Sequence, residues 1–509
     1  MVCPIAMKWD RLLKNKEMKH EVYTKIKLFL GELIAGTEWE GHVYTVGGCV
    51  RDEIMGSEIK DIDLCVSLPS GGIRFAEWLR DNGYAMKGVT VYPNYGTAML
   101  HLKAFPDVEL EFVQTRKEKY IDHSCRNPET AFGTIEDDCM RRDLTINALY
   151  CNVSTGEIVD ITGKSVDDIR NHVIRTPAAP DLTYDDDPLR ILRCIRFASR
   201  YGWEIDTETF DGMVRNVHRL DIISKERVKD ELDKMLTCQH PVMAMDLLRQ
   251  TGAMHYVIPE LEETYNMTQN EYHFGTVWEH TLAVLGNLKS DKLELRMAAL
   301  LHDIGKIRVR TIEDDIVHFL KHELASGDMV DELLRPLKYS NEFIKEVTFL
   351  VKYHMTCKTW GYECEHLKTK KLRKLQYECG TEERFRDLML LIDADNNAHA
   401  ADRCMPRQVE LLLQRTEKMK AEGSAMFGYR LPLTGKDVME IKGIGPGPQV
   451  RECLDYLLKL AFVNPLRDKE EMIKHLKGYR AVEAGMTMIS SSKRKQEPFF
   501  PIAWQPTKG

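Results

Sequence analysis

No stretch of this 509-residue sequence stays apolar over a length that spans a bilayer, so no membrane-spanning helix is expected in it. Its first twenty residues, MVCPIAMKWDRLLKNKEMKH, contain no apolar signal core, and the expected compartment is cytoplasmic. The 13 cysteines are odd in number, scattered, and form no Cys-x-x-Cys pair. That argues against a disulfide framework and against a cysteine zinc site, and fits free thiols in a reducing cytosol. A basic excess is missing too: the formal net charge is −8. Net charge alone therefore does not mark a nucleic-acid binder, although phosphate contacts need only a local basic surface. With 43% hydrophobic and 29% charged residues, the composition is that of a globular protein. The length calls for three or four domains.

The most informative stretch is VGGCVRDEIMGSEIKDIDLCV, Val46 to Val66. An apolar strand, Val43 to Val46, breaks at Gly47-Gly48, and a short amphipathic helix follows from Cys49 to Met55. A second apolar run carries Asp61 and Asp63. On a strand, residues i and i+2 share a face, so the two carboxylates stand side by side. Like charges this close are costly without a cation between them. A Mg²⁺ ion held by one or two carboxylates and substrate phosphates is the expected cofactor. The glycines let backbone N–H groups approach those phosphates, and Arg51 adds a charge-assisted contact.

Residues 1–40 read as helical, with Val22, Ile26, Phe29, Leu30 and Leu33 on one face. A helix is expected over 72–82, and strands over 97–102 and 108–113. The last alternates, so Glu109 and Glu111 share a face. Residues 116–140 read as a polar loop. In Arg141-Arg142-Asp143-Leu144-Thr145-Ile146-Asn147, Asn147 falls four residues after Asp143, on one face of an expected helix. Asp185-Asp186-Asp187-Pro188 reads as a helix start. Asp187, Arg190, Arg193 and Arg196 then form one i+3 row beside an apolar face. The row reads either as the polar side of a capped amphipathic helix or as a ridge that holds triphosphate and reads a base edge.

A second constellation begins at His273. His280 sits at a helix start, the apolar helix 295–301 ends at His302-Asp303, and His322, His354, Asp393 and Asp395 follow. Imidazoles and carboxylates from separate helices suit a divalent metal whose identity the sequence leaves open. Lys306 is a candidate phosphate ligand. Residues 366–480 hold 22 Lys and Arg against 17 Asp and Glu. The cluster Lys368, Lys370, Lys371, Arg373 and Lys374 is either a solvated face or an RNA-backbone surface. Gly443-Ile444-Gly445-Pro446-Gly447-Pro448 precedes an apolar-periodic helix. Residues 486–509, rich in Ser, Lys and Pro, are an expected disordered tail.

The order strand, Gly-Gly, helix, then a strand with Asp-x-Asp resembles the polymerase-beta nucleotidyltransferase superfamily. Residues Gly47 to Asp52 (GGxVRD) and Lys60 to Leu64 (KDIDL) narrow the resemblance to the CCA-adding enzymes and their poly(A) polymerase relatives. Arg141 to Ala148 resembles the family's RRDxxxNA motif. Asp186-Asp187-x-x-Arg190 resembles EDxxR, with Asp186 standing where Glu is usual. Glu226 to Leu232 resembles ERxxxEL, expected to buttress the neck. The histidines and aspartates resemble the HD phosphohydrolase superfamily, with His322 and His354 as in its two-metal version and Asp395 as the terminal ligand.

The resemblance implies an α+β protein, with a small mixed-sheet head at 20–165 followed by all-helical parts. These are a neck at 166–258, an HD core at 259–365 and a C-terminal body at 366–485 that completes the HD site. It implies catalysis by Asp61, Asp63 and Glu111. Nucleotide contacts fall to Gly47, Gly48, Arg51, Arg142, Asn147, Asp187, Arg190, Arg193 and Arg196. The HD metal falls to His280, His302, Asp303, His322, His354 and Asp395. It also implies a flexible loop within 116–140, whose full length argues against a CC-only variant. The expected reaction is template-free addition of CCA to the tRNA 3′ end from CTP and ATP. Poly(A) polymerase and an RNA-binding HD phosphohydrolase are the alternatives.

Overall fold

The structure, a computed structural model, describes residues 19–86, 88–93, 96–119, 129–269 and 275–479. The chain forms two compact units. One comprises residues up to 366 together with 386–412; the other comprises 367–385 together with those from 413 onward.

The larger unit opens with helix Lys19–Ile34. Tyr23, Ile26, Phe29, Leu30, Leu33 and Ile34 form its buried stripe. Nine strands follow: β1 (Val43–Val46), β2 (Ile62–Val66), β3 (Thr90–Tyr92), β4 (Thr97–Leu102), β5 (Phe105–Gln114), β6 (Arg116–Lys119), β7 (Glu129–Phe132), β8 (Leu149–Asn152) and β9 (Ile158–Asp160). Seven of them make one sheet in the order β3-β4-β5-β2-β1-β8-β9. Only β2 and β5 run parallel, and helix Gly71–Asp81 makes the crossover between them. Gly72 is required there: a Cβ would come within 2.7 Å of the Val113 carbonyl carbon. Phe29, Phe75 and Phe112 pack beneath that helix layer; Phe75 meets Phe112 edge-on at 5.7 Å.

The expectation of a structureless loop over 116–140 is corrected. β6 and β7 pair antiparallel, and Thr134 caps helix Ile135–Met140 through a reciprocal box with Asp137. Residues 120–128 lie outside the described residues.

Beyond the head the larger unit is helical, apart from two small exceptions to the all-helical expectation. Val173–Ile174 pairs with Glu204–Ile205, and Thr311–Glu313 forms a hairpin with Ile316–His318. The neck helices are Pro180–Asp186, Leu189–Tyr201, Thr207–Asn216, Lys225–Leu236 and Pro241–Thr251. Helices Val277–Asn287, Leu293–Leu301, His322–Leu334, Asn341–Tyr353 and Glu382–Asn396 follow. The smaller unit is built on helices Thr369–Cys379, Gly435–Lys442, Pro448–Val463 and Lys469–Gly478. Leu433, Val438, Cys453, Leu457, Leu466, Met472 and Leu476 form a core within it. Gly443 closes helix Gly435–Lys442 in the left-handed conformation at φ 65°, so the Gly-rich run is first a helix stop. Arg373 of the basic cluster is structural: it donates to the carbonyls of Val463 at 2.6 Å and Ser424 at 3.2 Å.

Candidate active site and metal centre

In the head, Asp61 is exposed and lies one residue before β2, so it is not itself in the strand as expected. Asp63 sits within β2, directly in register with Glu111 of the parallel strand β5. The sheet thus places these two carboxylates on the same face, with Asp61 at its entrance. Burial, then Glu111, push the Asp63 carboxyl up to about 6; Arg142 opposes them and Asp61 adds to the rise. A cluster that resists its own ionisation this way is a fitting place for a hard cation.

Gly47, after β1, adopts φ 75°. A Cβ there would lie 3.3 Å from Arg142 Nη1 and 3.5 Å from the Asn147 carbonyl oxygen. At Gly48 it would lie 3.5 Å from Arg51 Nη2. Bare backbone therefore faces the guanidinium groups. Arg142 is itself positioned from below: it donates to Asp138 Oδ2 at 3.0 Å, the Tyr150 hydroxyl at 3.2 Å and the Asn147 carbonyl at 3.2 Å. Burial raises the Asp138 carboxyl, but Arg142 and Arg141 outweigh it and hold the group down at about 2. Asp138 and Tyr150, which the motif reading missed, hold Arg142 in place. The i+3 and i+4 spacing of Asp138 to Arg141 and Arg142 was the available signal.

Three expectations change. The segment from Arg141 to Asn147 is not an α-helix; only Thr145–Asn147 makes a 3₁₀ turn. Asn147 still meets Asp143, by donating from Nδ2 to Oδ1 at 3.1 Å. Arg51 is 4% exposed and engaged by Asp52 and Asn147, with the rings of Phe197 and Tyr201 at 5.4 and 5.5 Å. It joins head to neck. The row from Asp187 to Arg196 is not one continuous helical ridge. Asp185 and Asp186 end one helix, and the next begins at Leu189. Arg190 and Arg196 are buried, at 7% and 9% exposed.

Arg190 donates to the Thr183 carbonyl at 3.1 Å and lies 3.8 Å from Asp186. Arg193 donates to Asp143 Oδ2 at 2.8 Å. Arg196 donates to buried Glu231 at 2.5 Å. Asp187 accepts from Arg227 at 2.7 Å and from the Leu189 amide at 3.1 Å. Residues of the ERxxxEL segment, Arg227 and Glu231, therefore hold two members of the row in place.

The second constellation closes as a buried cluster. His280, His302 and Asp303 bring ligand atoms together, and so do Asp303, His322 and His354. Each histidine is oriented by a backbone carbonyl facing Nδ1: Ala398 for His280 (3.1 Å), Ala299 for His302 (2.8 Å), Phe319 for His322 (2.9 Å) and Val351 for His354 (2.6 Å). With Nδ1 donating, every Nε2 carries its lone pair into the cluster. His280 Nε2 and His302 Nε2 then face each other at 3.3 Å, an arrangement that calls for a cation between them. His322 Nε2, Asp303 Oδ2 and Asp395 Oδ2 are buried without a well-aligned hydrogen bond. Burial, then His302 and His322, push His354 down to about 3, so its imidazole is neutral at working pH. The donor set fits a divalent metal.

Asp395 joins the cluster 3.2 Å from His280 Nε2. Asp393 instead pairs with Lys289 at 3.3 Å. Lys306 is 1% exposed and reaches Asp303 at 2.7 Å and Gln269 at 2.6 Å. Lys358 and His399, which sequence reasoning missed, also belong here: Lys358 lies 2.9 Å from Asp395, and His399 faces the Asp395 carbonyl at 2.7 Å through Nδ1. A cavity of about 540 Å³ opens onto the cluster, lined in part by Lys306, Phe319, Met355, Lys358, Tyr362 and His399. His273 lies outside the described residues.

A strand–Gly-Gly–helix–strand head with paired carboxylates, joined to a His/Asp cluster on helices, defines a nucleotidyltransferase carrying an HD domain. Family models agree part by part. Residues 43–175 match the poly A polymerase head domain, 202–264 the probable RNA and SrmB-binding site of polymerase A, and 271–386 the HD domain. The multifunctional CCA protein of Teredinibacter turnerae is 30% identical over 76% of this chain and 92% of its own length. The tRNA nucleotidyltransferase cca1 of Schizosaccharomyces pombe is 27% identical over 85% of this chain and 90% of its own. Among solved structures, a CCA-adding enzyme in apo form II aligns at TM-score 0.62 and 20% identity, over 92% of this chain and 98% of that one, a likeness of fold. The chain belongs to the CCA tRNA nucleotidyltransferase family and carries an HD domain.

Among the described residues, no helix is long and apolar enough to cross a membrane.

Proposed function

We propose that this enzyme adds C, C and A to the 3′ end of tRNA without a template, taking CTP and ATP and releasing pyrophosphate. The observation that carries this reading is the register of Asp63 with Glu111, together with Arg142, which acts on Asp63 and lies beside the bare backbone of Gly47. Asp61 and Asp63 hold Mg²⁺, and Glu111 completes the carboxylate face. When bound, the ion supplies positive charge that neutralises triphosphate and eases loss of the primer 3′-hydroxyl proton. Gly47, Gly48 and Arg142 cradle the triphosphate, with Arg193 on its neck side. Arg51 and Arg196 act from beneath, as struts, and Asn147 with Asp143 orders the sugar side. Asp187 and Arg190 read the base edge. Exposed Lys368 and Lys370 of the smaller unit and the Gly443–Pro448 run are the RNA-backbone contacts.

Support for these substrates comes from relatives: solved structures include a CCA-adding enzyme with ATP and one with tRNA. A relative of Thermus thermophilus, 25% identical over 87% of this chain, is named a CC-adding enzyme, so addition of the final A is a distinct claim. The cysteines described are free and mostly buried, in keeping with a reducing compartment such as the cytoplasm. A second activity, phosphohydrolysis at the HD cluster, is favoured by its inward-facing Nε2 atoms and open cavity.

The test is extension of tRNA ending at the discriminator base, with CTP alone, ATP alone or both, followed by sequencing of the 3′ ends. CC with CTP, completed to CCA only with ATP, is expected. Long A tails would make the enzyme a poly(A) polymerase. Termination at CC with both nucleotides present would make it a CC-adding enzyme.

A further inference from the structure

The HD cluster carries its own counter-cations. Asp303 is paired with Lys306 and Asp395 with Lys358, and both carboxylates are almost fully buried. Lys306 is also fixed by Gln269 and is itself 1% exposed. Lys358 is placed differently. It begins the short turn Lys358–Trp360, lines the cavity, and keeps 13% of its side chain exposed. Its Nζ lies 3.0 Å from Asn396 Oδ1 and 3.4 Å from His399 Nε2, both neutral groups when the imidazole is neutral.

Counting only the directly paired groups, two carboxylates and two ammonium groups cancel. A divalent ion adds two charges and takes Asp395 away from Lys358. Uncompensated charge in a buried site is costly, so the loaded cluster favours a dianion, the charge of a phosphate monoester. We propose that Lys358 is an exchangeable cation of this site: it occupies Asp395 in the absence of metal, and turns to a phosphoryl oxygen of a bound phosphate ester when a divalent ion takes Asp395. This rests on the reading that the cluster binds metal. It makes Lys358 oppose metal binding and favour phosphate binding. A merely structural lysine would weaken both when removed.

The experiment uses the full chain in an Asp63→Asn background, which silences the head site. Mn²⁺ is titrated by calorimetry, and inorganic phosphate is then titrated at saturating Mn²⁺. Lys358→Met is expected to bind Mn²⁺ about tenfold more tightly, because no cation then has to leave Asp395, and phosphate about tenfold more weakly, because a charge-assisted contact is lost. Lys358→Arg keeps the charge and should stay near the parent in both. Lys358→Gln repeats the neutral substitution should the Met variant fail to fold. Mn²⁺ affinity that is unchanged or weaker in the folded neutral variant overturns the exchange, as does unchanged phosphate affinity. If the parent binds no Mn²⁺ that His322→Ala abolishes, the metal reading falls and the exchange with it.

Discussion

Replacing Asp63 with Asn should stabilise the metal-free protein while abolishing nucleotidyl transfer. The carboxyl of Asp63 rises from an ordinary 3.8 to about 6 in the fold, through burial and the facing Glu111. The folded state therefore holds the proton more tightly than the unfolded chain does. That stabilisation is complete below the unfolded value near 3.8 and is lost as pH rises through 6. By pH 8 the ionised group costs up to about 3 kcal/mol, since a tenfold change in proton affinity is worth about 1.4 kcal/mol. The side chain is partly accessible, so ~1–3 kcal/mol is expected to survive screening. Thermal melts in EDTA should show the Asn variant several degrees above the parent at pH 8. The gap should fall to about half its pH 8 value by pH 5 and close only below about pH 3.8, where both folded and unfolded carboxyls are neutral. Mg²⁺ should raise the parent more than the variant. A variant that melts at or below the parent at pH 8, or whose advantage does not fall between pH 8 and pH 4, would refute the claim that an uncompensated carboxylate sits at this register.

Three other substitutions test the supports. Arg196→Ala takes the closer of two cations from Glu231, which is 3% exposed and keeps only the longer 3.6 Å contact to Lys234, and should cost about 3–5 kcal/mol in urea unfolding; the double change to Arg196→Met and Glu231→Met should recover most of it. No loss in the single variant would mean the pair is not buried in solution. Arg227→Ala removes a partly exposed partner of Asp187, so stability should change by less than about 1 kcal/mol while the ratio of C to A incorporation shifts. Unchanged nucleotide choice would detach Arg227 from base reading. Gly47→Ala puts a Cβ at φ 75° beside Arg142, costing about 1–2 kcal/mol and raising KM for CTP; a normal KM would count against the backbone cradle.

The parts legible in the sequence were those with local chemistry. The Gly pair, the Asp-x-Asp run and the apolar strands around them located β1, β2 and the helix between them to within a residue or two. Glu111 was placed through the alternation of β5, and the fold supplied what alternation does not, its register with Asp63. The arginine row misled because an i+3 spacing says which residues share a face, not whether that face meets water. Arg196 points at Glu231, thirty-five residues on, and Arg193 at Asp143, fifty residues back. Lys358 escaped because a lysine beside an Asn and a His has no periodic signature. Its partner Asp395 is 37 residues away and becomes its neighbour only when helix Glu382–Asn396 packs.

The two acidic sites of this enzyme answer the same electrostatic problem in opposite ways. In the head, Asp63 has another carboxylate in register and no lysine paired with it among the described residues, so its charge is resisted until a cation arrives. In the HD cluster, burial raises Asp303 and Asp395, but histidines and lysines outweigh it and hold both carboxyls well below the usual range. A cation entering the head relieves repulsion; a cation entering the HD cluster must displace one that is already there. Metal should therefore stabilise the head more per ion bound than it stabilises the HD cluster, at equal intrinsic ligand strength. The difference follows from side chains rather than from fold: a transferase that handles a fresh triphosphate each turn gains from a site that is poor without its ion, whereas a cluster buried at the meeting of several helices must be neutral before loading if that part of the chain is to fold at all.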